Sequence, residues 1–114
     1  MLTTLRSIIY HVKDLEAAKK WYSEMFNIQP YFDEPFYVGY NINGCELGLD
    51  PDPSAYPGGL NNITYWKVEN INASFIDLKS KGVKINQEIT DVGGGVLLGS
   101  ITDPFGNIIG LIQG

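Results

Sequence analysis

The chain is poor in the residues from which most reactive centres are built. It has one cysteine and one histidine among 114 residues. A single thiol, Cys45, excludes an intramolecular disulfide and any multi-thiolate metal site. A single imidazole, His11, excludes the three-His and two-His-one-carboxylate sets typical of catalytic zinc and non-haem iron within one chain. No apolar run approaches the roughly 20 residues needed to span a bilayer, so no membrane partner is expected. Cationic residues are also scarce. With 8 Lys and Arg against 13 Asp and Glu, the net charge is -5, which disfavours nucleic acid because its phosphates would be repelled. Met1 to Arg6 carries no basic segment followed by an apolar stretch and a cleavage site, and the expected location is the cytoplasm.

What remains is a globular composition, 44% hydrophobic and 18% charged. A domain of this size removes roughly two-thirds of its unfolded surface from water without covalent staples. The same plan is written twice: an extended apolar run, a helix and a hairpin-rich stretch occupy Leu5 to Leu49, and again Ile63 to Ile112. The copies align by their hinges, Val12-Lys13-Asp14-Leu15 and Val68-Glu69-Asn70-Ile71, and by their last strands, Leu47-Gly48-Leu49 and Ile109-Gly110-Leu111. The organisation expected is one domain over 1–114, with half-modules at about 1–50 and 61–114 joined by the Pro- and Gly-rich loop 51–60.

Periodicity assigns the elements. In the strand Leu5 to Val12, a period of two sets Ile8, Tyr10 and Val12 against Ser7, Ile9 and His11. Asp14 is an expected N-cap for a helix whose stripe is Leu15, Ala18, Tyr22, Met25 and Phe26, ended by Asn27 and Pro30. Phe36 to Ile42 alternates, with Phe36, Val38, Tyr40 and Ile42 on the packing face and Tyr37, Gly39 and Asn41 on the other. Asn43-Gly44 then signals a hairpin into Cys45 to Leu49. The second copy predicts a strand Ile63 to Val68, a helix from about Asn70 to Lys81 stopped by Gly82, and strands Val83 to Ile89, Val96 to Ile101 and Ile108 to Ile112. Gly93-Gly94-Gly95 is read as a turn, since it lacks the following helix and lysine of a phosphate loop. Trp21 and Trp66 are assigned to the core, and Tyr56 in the crossing loop is the candidate lid. The fold class is α+β: two tandem βαβββ modules forming a curved mixed sheet around a shared cavity, each sheet with one face on its helix and the other free.

Val12-Lys13-Asp14-Leu15-Glu16-Ala17-Ala18 with Trp21-Tyr22, together with Asp103-Pro104-Phe105-Gly106-Asn107-Ile108-Ile109-Gly110-Leu111, resembles the vicinal oxygen chelate superfamily of glyoxalases, bleomycin-resistance proteins and extradiol dioxygenases. The resemblance covers essentially the whole chain. It implies first-strand metal ligands at Ser7 and Ile63 and last-strand ligands at Gly48 and Gly110, and none of these four is a plausible ligand for a divalent ion. No metal and no cofactor are therefore expected. One route back to a metal exists: Glu46 shares the strand face of Gly48, and a bulge would bring it into the site. The resemblance also implies a homodimer.

If Ser7 and Ile63 face the cavity, so do Ile9, His11, Tyr65 and Lys67. The ligand-binding candidates are then Ser7, Ile9, Tyr37, Asn41, Glu46, Gly48, Ile63, Tyr65, Lys67 and Gly110, with Glu46 and Asp50 as a negative patch. His11 is the catalytic candidate, because its ordinary pKa lets it exchange a proton near neutrality. The expected function is metal-free binding or sequestration of a small organic molecule, a drug or a metabolite. The alternatives are a lyase, isomerase or dioxygenase-type enzyme in which His11 moves a proton while Lys67 or Tyr65 steadies negative charge, a metal site completed across a dimer, and an interaction module with a vestigial cavity.

Overall fold

The computed structural model describes residues 3, 5–53 and 63–114. Tyr56 lies outside them. The chain divides into two compact units, Met1–Gly59 and Leu60–Gly114. Among the described residues no helix is long and apolar enough to cross a membrane.

Unit 1 runs β1 (Ser7–His11), α1 (Leu15–Phe26), β2 (Phe32–Glu34), β3 (Tyr37–Ile42) and β4 (Cys45–Asp50). Its sheet has the order β1-β4-β3-β2. The β1–β4 pair is parallel and the other two are antiparallel. Helix α1 begins where Asp14, in an extended conformation, accepts a hydrogen bond from Ala17 N at 3.1 Å, satisfying one orphan N–H of the first turn. It ends at Asn27, whose left-handed backbone returns its N–H to Ser23 O. Leu15, Ala18 and Tyr22 are the buried stripe, packed with Tyr10, Val12, Val38, Tyr40, Leu47 and Leu49 from one face of the sheet. Each large apolar side chain so buried contributes about 1.5–3 kcal/mol. Tyr40 is fully buried, and its hydroxyl is satisfied by Ser23 Oγ at 2.8 Å and Lys19 O at 3.0 Å.

Unit 2 repeats the plan as β5 (Thr64–Lys67), α2 (Ile71–Ser80), β6 (Lys84–Gly93), β7 (Val96–Thr102) and β8 (Ile108–Gln113), in the order β5-β8-β7-β6. Asn70 caps α2 as Asp14 caps α1, accepting from Ala73 N at 3.0 Å. Ile71, Phe75 and Leu78 bury against Ile101, Ile109 and Leu111. The turn before β8 is built on buried Asp103, whose carboxylate accepts from Phe105 N, Asn107 N and Asn107 Nδ2.

The fold class is as expected, α+β with two tandem βαβββ modules, each carrying its own four-stranded mixed sheet. Three expectations are corrected. A three-residue edge strand, β2, precedes the run that the alternation picked out. Phe36, assigned to the packing face, is 66% exposed, because the strand begins one residue later and Phe36 sits in the β2–β3 turn with its ring edge-on to Phe32. Trp21 and Trp66 are half-buried rather than core.

Candidate functional site

The face of the unit 1 sheet opposite α1 carries the candidate site. Parallel pairing sets Ser7, Ile9 and His11 beside Glu46, Gly48 and Asp50, and the β3–β4 register puts Asn41 beside Glu46 and Gly39 beside Gly48. Directly opposite residues share a face, so a period of two adds Tyr37. Seven of the candidates, Ser7, Ile9, His11, Tyr37, Asn41, Glu46 and Gly48, therefore lie on this one surface. Neither ladder contains a register shift. No bulge moves Glu46, and its neighbour on β1 is Ser7.

Gly39 and Gly48 stand abreast, and two side chains fill the room they leave. A Cβ on residue 39 would stand 3.3 Å from the Tyr31 ring and 3.4 Å from both Glu46 Oε1 and the Tyr37 ring. A Cβ on residue 48 would overlap the Tyr37 hydroxyl and stand 2.6 Å from its Cζ. The two phenols converge on one carboxylate: Tyr31 Oη donates to Glu46 Oε1, and Tyr37 Oη donates to Oε2 at 2.6 Å. Tyr31 reaches that place because its N–H bonds Gly39 O at 3.0 Å, extending the β2–β3 ladder by one residue.

These bonds set the protonation of the cluster. The hydrogen bond from Tyr31, then that from Tyr37, with the charge of Arg6 assisting against burial, hold the Glu46 carboxyl below its ordinary value. The hydrogen bond to Glu46, burial and the Glu46 charge in turn push the Tyr31 phenol up. Both directions favour a carboxylate with two neutral phenol donors. Beside it is a pocket of 180 Å³ lined by Arg6, Tyr31, Asn41, Gly44, Cys45 and Glu46. Arg6 Nη1 donates to Ser7 Oγ at 2.7 Å, and Asn41 Oδ1 accepts from Gly44 N at 2.9 Å. His11, half-buried at the far end of β1, has Nδ1 3.0 Å from Asp50 O. A carbonyl only accepts, so Nδ1 carries the proton there, and the lone pair of a neutral imidazole falls on Nε2.

A larger groove of 490 Å³ runs between α1 and the β2 edge. Its central cation, Lys19, is engaged by Asp33 at 3.1 Å and Glu16 at 3.3 Å. The Asp33 hydrogen bond is the main cause that raises the Lys19 pKa. The Lys19–Asp33 pair ties the helix to the edge strand.

The other four candidates, Ile63, Tyr65, Lys67 and Gly110, belong to unit 2. Tyr65 pairs with Gly110 as Ile9 pairs with Gly48. The Tyr65 ring lies across Gly110, with Cδ1, Cε1 and Cγ at 2.5, 2.7 and 2.9 Å from the place of a Cβ. Lys67 is exposed, in register with Ile112. Two contributors to the unit 1 site, Tyr31 and Arg6, were not picked out from the sequence: Tyr31 lies outside the strands that alternation defines, and the period of two in Leu5 to Val12 sets Arg6 on the face of Ile8 and Tyr10, away from the candidates.

The four positions that the resemblance implies, Ser7, Gly48, Ile63 and Gly110, do not fit a divalent metal. The Ser7 hydroxyl accepts from Arg6, Ile63 offers hydrocarbon, and Gly48 and Gly110 offer no side chain beneath their tyrosines. Among the described residues no group of three His, Cys, Asp or Glu side chains is placed to hold an ion.

A family model described as Glyoxalase/Bleomycin resistance protein/Dioxygenase superfamily matches residues 4–111. The fold is similar to a lactoylglutathione lyase from Agrobacterium tumefaciens, with a TM-score of 0.81 and 15% identity over 99% of this chain and 95% of the other. It is also similar to the genomically encoded fosfomycin resistance protein FosX from Listeria monocytogenes, with a TM-score of 0.80 and 20% identity over 100% and 95%. A glyoxalase-related enzyme from Fulvimarina pelagi aligns with a TM-score of 0.76 and 23% identity over 99% and 89%. Comparison with curated protein sequences finds no significant match.

Proposed function

Since the chain belongs to the Glyoxalase/Bleomycin resistance protein/Dioxygenase superfamily, whose scaffold supports several chemistries and leaves function to the site, we propose that it binds a small organic molecule without a metal. One observation carries the proposal. The Gly39–Gly48 floor, the two tyrosines folded onto it and the ionised Glu46 beside a pocket make a surface with both apolar contact and a fixed polar group, the combination by which ligand sites obtain affinity and orientation. The donor set at Ser7, Gly48, Ile63 and Gly110 supports the metal-free part. Fosfomycin resistance in one structural relative makes sequestration of a drug or a metabolite the form of the activity to test first.

A thermal-shift screen with neutral, anionic and cationic compounds tests the proposal. A ligand that binds only the folded chain adds about 2.7 kcal/mol at about 100 times its Kd. A broad panel without a single shift contradicts it. A cytoplasmic homodimer completes the proposal, and light scattering in solution checks the dimer.

A second function is favoured by the place of His11 on the same face as Glu46 and Gly48. A lyase or isomerase acting on a substrate at this face would use its imidazole for proton transfer. His11→Ala lowers turnover of a substrate found by the screen if this holds. Unchanged turnover removes the enzymatic reading and leaves the binding one.

A further inference from the structure

Resting on small-molecule binding at this face, we propose that Glu46, Tyr31 and Tyr37 form the head-group site for an organic ammonium that carries N–H donors. The observation is a mismatch between donors and acceptors. Both phenol O–H groups are spent on the carboxylate, which leaves the Tyr31 oxygen and the remaining carboxylate lone pairs as acceptors. Among the described residues no cationic side chain lies within 4.0 Å of Glu46, the four ion pairs being formed by other groups. Arg6 is turned to Ser7 Oγ instead. A half-buried carboxylate with no ion-pair contact among the described residues, and only the nearby charge of Arg6, is completed by a ligand that supplies both charge and N–H donors, in charge-assisted hydrogen bonds.

The surroundings narrow the ligand. Tyr37 meets Phe32 edge-to-face at 6.1 Å, and Tyr31 is 62% exposed, so two phenol rings flank the carboxylate and that of Tyr31 stands open to an approaching cation. The pocket volume of 180 Å³ is below the roughly 300 Å³ at which drug-sized sites begin, so it takes the head of a molecule whose remainder lies outside the pocket. Acceptors converging on one point select an ammonium with N–H groups over a quaternary one, which offers charge but no donor.

Calorimetric titration of the full chain with benzylammonium, tetramethylammonium and benzyl alcohol tests the inference. Benzylammonium is expected to bind at least about tenfold more tightly than either of the others, and Glu46→Gln to erase that advantage while keeping the wild-type circular dichroism spectrum. In the unaltered protein, benzylammonium is expected to shift the ring resonances of Tyr31 and Tyr37, a readout that holds if the variant fails to fold. Equal affinities for the charged and neutral probes overturn the inference, as does an advantage that survives in Glu46→Gln. If neutral compounds bind this face and amines do not, small-molecule binding stands and the ammonium site falls. If nothing of any charge binds, both fall.

Discussion

Tyr37 lies across Gly48, its Cζ 2.6 Å from where a Cβ on that residue would stand, and its hydroxyl reaches past it to Glu46 two residues earlier on the same strand. The glycine is thus a seat for a phenol, and the phenol is what anchors the carboxylate. Gly48→Ala must push Tyr37 off Glu46. The lost charged hydrogen bond, offset in part by the better strand propensity of alanine, costs about 1 kcal/mol in urea denaturation. In a Tyr37→Ala background the obstacle is gone, and the same change is expected to be neutral or slightly stabilising. Additive effects in this double-mutant cycle would contradict the seat.

The counterpart in unit 2 is tighter. At Gly110 the overlap extends to Tyr65 Cγ, so the ring cannot escape by swinging its far end. Gly110→Ala forces a new rotamer and is expected to cost about 2 kcal/mol. Tyr65→Ala should restore most of it, as measured by the shift in denaturation midpoint.

The hydrogen bond between Tyr31 and Glu46 is expected to make stability fall at both ends of the pH scale. Folding holds Glu46 below its ordinary value of 4.5, so the unfolded chain binds more protons in the acid range, and the contribution present above that value is lost as pH drops through the folded one. Folding holds Tyr31 above its ordinary value of 10.0, so its contribution is complete below that value and is lost as pH rises through the folded one. Tyr31→Phe is expected to flatten both limbs of a plot of urea midpoint against pH. A curve parallel to the wild type at both ends would sink this account.

Asp103 is expected to be the most sensitive turn position. Its carboxylate, in a residue 3% exposed, accepts three hydrogen bonds at 2.7 to 2.9 Å. Asp103→Ala leaves the Phe105 and Asn107 N–H groups without their acceptor and is expected to cost about 3 kcal/mol. Asp103→Asn keeps one acceptor oxygen and should cost less. Thermal denaturation of the two variants decides the order.

Local chemistry made much of the fold legible from the residues alone. Asp14 and the Asn43-Gly44 turn were assigned because a cap and a hairpin need only their neighbours in sequence, and both are found, Asn43 and Gly44 with φ of 48° and 88°. The matching of Ile9–Gly48 with Tyr65–Gly110 was legible because a period of two fixes the face of each residue once the hinges are aligned. What was not legible depends on distant partners. β2 is three residues long and too short to show a period, so Tyr31 beside it passed unnoticed. That Tyr37 would bend over Gly48 to reach Glu46 is decided by a space on another strand.

The most direct test of metal-free binding at this face is a ¹⁵N NMR titration of the full chain, in the presence of a chelator, with the best compound from the thermal-shift screen. Binding is predicted to persist under chelation and to perturb the amides of Ser7, Ile9, Gly39, Glu46 and Gly48 most strongly. Loss of binding on chelation, or perturbations that leave these strands untouched, would contradict the account.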